Sequence, residues 1–197
     1  SDWSSDVCSS DLDDPVIKAN RLSLKKSMMA TLMLSAGVPM ITMGDEICRT
    51  QRGSNNGYSM PRDMWPGIED SPETFGGGWA NSWKLSTEEQ DMKDAVGELA
   101  RIRKTYLADV AAEFFTGRVD LGTQRKDIAW FSLGGHEMTE EHWADGEKRS
   151  LSVLIEAGPH RGLLLLLNSS TKETSFTLPD EKWGTSFRRI FDSASPV

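Results

Sequence analysis

Apolar residues recur at helical spacing in two stretches of the chain. After Asp14-Pro15, an N-cap followed by proline at the first helical position, Ile17, Leu24, Met28 and Leu32 repeat along one face. Lys18, Arg21, Lys25 and Lys26 take the other faces. Gly37 suits the C-terminal stop, so the pattern predicts a helix that starts at Pro15 and ends before Gly37. The second stretch opens on Ser86 and Glu89, spaced as a capping box. Met92, Val96, Leu99, Ile102 and Tyr106 follow and predict an amphipathic helix ending near Tyr106. Between the two, Val38–Met43 is an apolar run without alternation, bounded by Gly37 and Gly44. Such a run suits a strand buried on both faces of a parallel sheet. Helix, turn and buried strand together read as one piece of an α/β layer. Residues 44–85 form a long loop rich in Gly, Asn, Pro and Trp, and a connection of that length is either functional or evidence against the assignment.

After Asp109 the period shortens. Strand candidates are Ile128–Leu133, Leu151–Ile155, Leu163–Leu167, Thr174–Leu178 and Phe187–Phe191, with Phe114-Phe115 ahead of them. Gly134-Gly135, Gly158-Pro159, Asn168-Ser169 and Pro179-Asp180 separate them. Short strands at this spacing predict an antiparallel β sandwich, with the domain boundary at 108–112. Residues 1–12, SDWSSDVCSSDL, follow no period. They read as a frayed, disordered tail or as the non-native, translated read-through of a sequencing adapter, and the natural N-terminal part is expected to be missing.

Composition narrows the function classes. Apolar residues make up 38% of 197, and 17 glycines bring the total to the ordinary globular range. Lys and Arg number 22 against 30 Asp and Glu, a formal net charge of −8. That balance argues against a nucleic-acid backbone or an anionic membrane surface as the main partner. Two cysteines, Cys8 and Cys48, make neither a disulfide framework nor a zinc site. Met28–Met43 is interrupted by Thr31, Ser35, Gly37 and Pro39 and is too short to span a bilayer. The N-terminus lacks a basic start followed by an apolar run, and the expected location is the cytoplasm.

Candidate chemistry concentrates in GVPMITMGDEICRTQR, Gly37 to Arg52. The C-terminal end of the predicted strand delivers Asp45, Glu46 and Arg49 to a loop, and α/β architectures build sites at that end. Asp45 and Glu46 are a candidate carboxylate pair. Neighbours at a strand end point to opposite faces, however, which favours bracing of the loop through Arg49 or Arg52. Trp65, Trp79 and Trp83 are candidates for stacking on sugar rings, with pinning of the loop by burial the favoured role. His136, Glu137, Glu141 and His142 fit no common metal-ligand spacing, so no metal is predicted. There is no phosphate loop, dinucleotide fingerprint or nucleophile elbow.

LMLSAGVPMITMGDE, then RTQ, then Asn55-Asn56-Gly57-Tyr58, resembles the end of the catalytic barrel in isoamylase-type glycogen debranching enzymes of the α-amylase superfamily. Asp127-Ile128-Ala129-Trp130, EMTEEHW from Glu137 to Trp143, Arg149-Ser150-Leu151 and the LLLLLNSS run ending at Ser170 carry the same resemblance. It implies an α/β plus all-β fold, the C-terminal piece of a (β/α)8 barrel followed by an antiparallel β sandwich. Residues 13–36 would be the seventh barrel helix, 38–43 the eighth strand and 86–106 the eighth helix. The barrel piece would occupy 13–108 and the sandwich 109–197.

The activity implied is hydrolysis of α-1,6 branch linkages in glycogen or limit dextrin, with retention and without a cofactor. The partners implied are branched α-glucan and the missing N-terminal part of the barrel. Asp45, Glu46, Asn55, Asn56 and Tyr58 are the implied substrate-binding residues. After Tyr58 the chain departs from the family, with Ser59-Met60-Pro61-Arg62-Asp63 where members commonly continue Gln-Asp-Asn and a Trp. The family's three catalytic carboxylates follow earlier strands and are expected N-terminal to Asp13, so none is assigned here and this chain by itself is expected to be inactive. The rival readings are a non-catalytic glucan-binding protein and a purely structural β sandwich.

Overall fold

A computed structural model of the chain describes residues 14–49, 84–108, 114–158 and 161–196. They divide into two compact units, with the boundary inside a helix, between Arg101 and Ile102.

In the first unit, α1 spans Pro15–Met33. The Asp14 carboxylate accepts from the Val16 and Ile17 amides at 2.8 and 3.4 Å, the N-cap expected from sequence. The buried stripe is not the expected one. Lys26, Met29 and Met33 face inward, while Met28 and Leu32 are exposed. Lys26 belongs inside because its ammonium has partners there. It donates to Asp91 Oδ2 at 2.7 Å and to the Ser195 carbonyl at 3.0 Å, which offsets the desolvation that normally keeps lysine outside.

The second long helix, α2, spans Thr87–Tyr106 and crosses the boundary between the units. Its capping box is present: Ser86 N donates to Glu89 Oε2 at 2.7 Å, and Glu89 N donates to Ser86 Oγ at 3.3 Å. Met92, Ala95, Leu99 and Ile102 form its fully buried stripe. Val38–Met43 forms no strand, which corrects the sequence reading. Val38 is 89% and Met40 84% exposed. A parallel strand exists only by hydrogen bonding to neighbours, and among the described residues none pairs with this run.

The second unit is built on three antiparallel strands in the order β1 (Ile128–Phe131), β2 (Ser150–Glu156), β3 (Gly162–Asn168). The register places Trp130 opposite Val153 and Phe131 opposite Ser152, with Val153 opposite Leu165 and Ser152 opposite Leu166. Side chains alternate between faces, so Ala129, Phe131 and Leu154 share one face. Trp183 packs against them with Leu164, its ring edge-to-face on Phe131 at 5.1 Å and 84°. On the other face Val153, Ile155 and Leu163 are buried.

Three strand candidates were misread. Phe114-Phe115, Thr174–Leu178 and Phe187–Phe191 lie outside any strand, and the described residues make one sheet rather than two. The segment after β3 is irregular and reaches the Leu133 carbonyl through the Thr177 amide at 2.8 Å. An apolar run predicts burial, and the irregular segment supplies burial through Pro179 and Trp183 without a second ladder.

The free edge of β1 is closed locally. Ser132 N donates to the His136 carbonyl at 2.9 Å and Met138 N to the Trp130 carbonyl at 2.8 Å, so the chain folds back along its own edge. The turn depends on Gly135, which has φ +77°; a Cβ there would lie 2.8 Å from the Leu178 carbonyl oxygen. Beyond it, the short helix α3 (Glu140–Ala144) is capped by Thr139.

Candidate functional site

The residues singled out by sequence at the end of the Val38–Met43 run sit on a tight turn. Gly44, at φ 97°, begins it, and a single 3-10 turn over Asp45–Ile47 follows. Ile47 N and Arg49 N both donate to the Gly44 carbonyl, at 3.0 and 2.9 Å. Glycine suits the opening because its left-handed backbone costs nothing there. Asp45 Oδ1 accepts from Arg49 Nε at 2.7 Å, and Glu46 Oε2 accepts from the Gly44 amide at 2.8 Å. Both carboxylates are thus engaged by the turn that carries them. This is the bracing arrangement, through Arg49, rather than a pair facing each other across a cleft.

Cys48 closes the turn at φ 58°. Burial pushes its thiol above the usual range, against the opposing pull of Lys25. Asn55, Asn56 and Tyr58, together with Arg52, Trp65, Trp79, Trp83 and Cys8, lie outside the described residues.

In the second unit the sequence-flagged Asp127 organises a loop. Its carboxylate accepts from Thr116 N at 2.6 Å, Gly117 N at 2.7 Å, Ile128 N at 2.8 Å and Thr116 Oγ1 at 3.0 Å. Partial burial pulls the pKa upward, but the hydrogen bonds outweigh it and the net shift is downward from 3.8. A depressed carboxylate adds stability above its ordinary pKa and loses it as pH falls through the folded value. Asp127→Asn is therefore expected to cost about 1–2 kcal/mol at pH 7. The cost should shrink at a pH below the depressed folded pKa, where wild type is itself protonated. Urea titrations at both pH values check this; an equal cost at both would refute the electrostatic assignment.

Near it, Arg125 donates to Glu156 Oε1 at 2.8 Å and to the Trp183 carbonyl at 3.3 Å, tying the loop to β2 and to the core anchor. No period or motif marks that clamp. The candidate His/Glu group disperses. Glu137 pairs with Lys126, while His142 caps α3, its Nδ1 accepting from Thr139 N at 3.2 Å. Among the described residues no three His, Cys, Asp or Glu side chains are grouped to hold a metal ion. Trp143, from the same EMTEEHW string, meets Trp130 edge-to-face at 5.7 Å and 72°.

The second unit is thus a small β domain on a three-stranded antiparallel sheet. Residues 127–196 match the isoamylase C-terminal family. The chain is 31% identical, over 94% of its length and 26% of the relative, to a "Glycogen operon protein GlgX homolog" of Mycobacterium bovis. It is 28% identical to an "Isoamylase" of Flavobacterium sp, over 91% of the chain and 22% of the relative. It is 29% identical to a "Glycogen debranching enzyme" of Pectobacterium carotovorum subsp. carotovorum, over 93% of the chain and 23% of the relative. The resemblance to isoamylase-type glycogen debranching enzymes therefore holds over nearly the whole chain, which spans about a quarter of the length of these relatives. Among the described residues no helix is long and apolar enough to cross a membrane.

Proposed function

We propose that this chain supplies the end of the catalytic barrel and the following β domain of a cytoplasmic glycogen debranching enzyme. The enzyme as a whole would hydrolyse α-1,6 branch linkages in glycogen or limit dextrin. The observation that carries the reading is similarity across 91–94% of the chain to relatives named isoamylase, glycogen debranching enzyme and glycogen operon protein. In this reading residues 13–108 belong to the barrel and 109–197 to the β domain that follows it. Asp45 and Glu46 lie at the substrate side, where the Asp45–Arg49 brace holds the start of the loop that carries Asn55, Asn56 and Tyr58 to the glucan.

A retaining glycosidase needs two carboxyl groups about 5–5.5 Å apart on either side of the scissile bond. Asp45 and Glu46 are each engaged by their own turn, so neither is placed for that work. The 197-residue chain alone is expected to release no reducing ends from branched glycogen, while the product of the longer gene does. Turnover by the chain alone that disappears in Asp45→Ala or Glu46→Ala would overturn the assignment.

A further inference from the structure

The surface of the β domain carries two tryptophans that its core does not absorb. Trp143 is 54% and Trp130 38% exposed, although Phe131 and Trp183 nearby in sequence and fold are buried. Their position is determined by the backbone. The return of the chain along β1, with Met138 N on the Trp130 carbonyl, brings α3 beside the strand. The reciprocal cap between Thr139 and His142 then fixes the helix that carries Trp143. The rings stand at 72°, so the edge of one meets the face of the other and aromatic surface remains open to solvent.

Glu140 and Glu141 are exposed on α3, the helix that carries Trp143. His142 Nδ1 accepts from a backbone amide, which leaves the proton of the neutral ring on Nε2. Two partly exposed indoles present on the order of 100–250 Å² between them. A stable protein interface needs about 1,000 Å², whereas one or two sugar rings match the smaller area. A pyranose has an apolar face of C–H groups for the ring and hydroxyls on its rim for the carboxylates and the imidazole. It is uncharged, so a chain of net charge −8 does not repel it.

We infer that the Trp130–Trp143 pair is a surface site for a linear α-glucan chain. The inference rests on the proposed glycogen reading for the identity of the sugar. Its test separates the two because it reads binding by this chain alone and not turnover by the longer protein.

Native electrophoresis of the 197-residue chain through gels containing soluble glycogen, with dextran gels as control, is the measurement. The wild-type chain is expected to be retarded by glycogen, and maltoheptaose to relieve the retardation. Trp143→Ala should weaken apparent affinity at least about fivefold with an unchanged circular dichroism spectrum. Trp143→Phe, which keeps a smaller ring, should fall between. Trp130→Phe guards against a folding artefact of the more enclosed partner. No retardation of wild type, or retardation unaffected by Trp143→Ala, would overturn the site whatever the longer protein hydrolyses. A change of oligomeric state in Trp143→Ala without a change in retardation would overturn it in favour of a protein contact.

Discussion

Asp91→Ala is expected to destabilise the first unit by about 3 kcal/mol or more, and Lys26→Met by much less. The Lys26 side chain is 2% exposed and its ammonium lies 2.7 Å from Asp91 Oδ2. Removing Asp91 leaves that charge buried with the Ser195 carbonyl, at 3.0 Å, as its remaining acceptor in the pair of bonds described above. Removing Lys26 leaves a carboxylate that is 18% exposed and has some access to water. Methionine also keeps most of the volume beside Met29 and Met33. The double variant Lys26→Met/Asp91→Ala should therefore be more stable than Asp91→Ala alone, a sign reversal that an additive account does not allow. Amide exchange in α2 under native conditions reports the loss locally. Equal costs for the two single changes would mean that the pair is not desolvated as the structure places it.

Lys26 also shows where the sequence stops being readable. Its helix was legible because the Asp14 cap and Pro15 are local signals, and the same holds for Ser86 and Glu89 at the start of α2. Which face of α1 is buried depends on Asp91 and Ser195, 65 and 169 positions away. Hydrophobic periodicity has no access to such partners, so it assigned the lysine to solvent and Met28 to the core. Strands divide in the same manner. β1, β2 and β3 follow one another at short range and pair in chain order, so turn residues and apolar runs sufficed to find them.

Val38–Met43 carries an equally good apolar signal and fails because a strand is a property of a pair. At the candidate site, bracing by Arg49 or Arg52 was readable because both are local, and the turn at Gly44 selects Arg49 for Asp45. The Trp130–Trp143 pair was not readable. Its two members meet through the return at Gly135 and the cap at Thr139, and the EMTEEHW string alone does not say which ring it covers. Asn55, Asn56 and Tyr58 remain assigned by resemblance.

Phe131→Ala is expected to cost about 3–5 kcal/mol, a large share of what one small β domain has. Phe131 is fully buried at the end of β1, and one whole face of the sheet closes through its contact with Trp183. Trp183 comes from an irregular segment with no ladder of its own, so packing on Phe131 is a principal restraint on that segment. Truncation would remove the transfer free energy of the ring and leave a cavity between the sheet and Trp183. The edge-to-face geometry adds about 0.5–1.5 kcal/mol beyond the buried area. Phe131→Leu should therefore cost less than half as much as alanine, and a double-mutant cycle with Trp183→Leu should return a coupling in that range. Exchange of the β2 amides would rise in Phe131→Ala while exchange in the first turns of α2 stays as in wild type, because the two regions belong to different compact units. If Phe131→Ala lost less than about 1 kcal/mol, or loosened both units equally, Trp183 would not be the anchor that holds the irregular segment to the sheet.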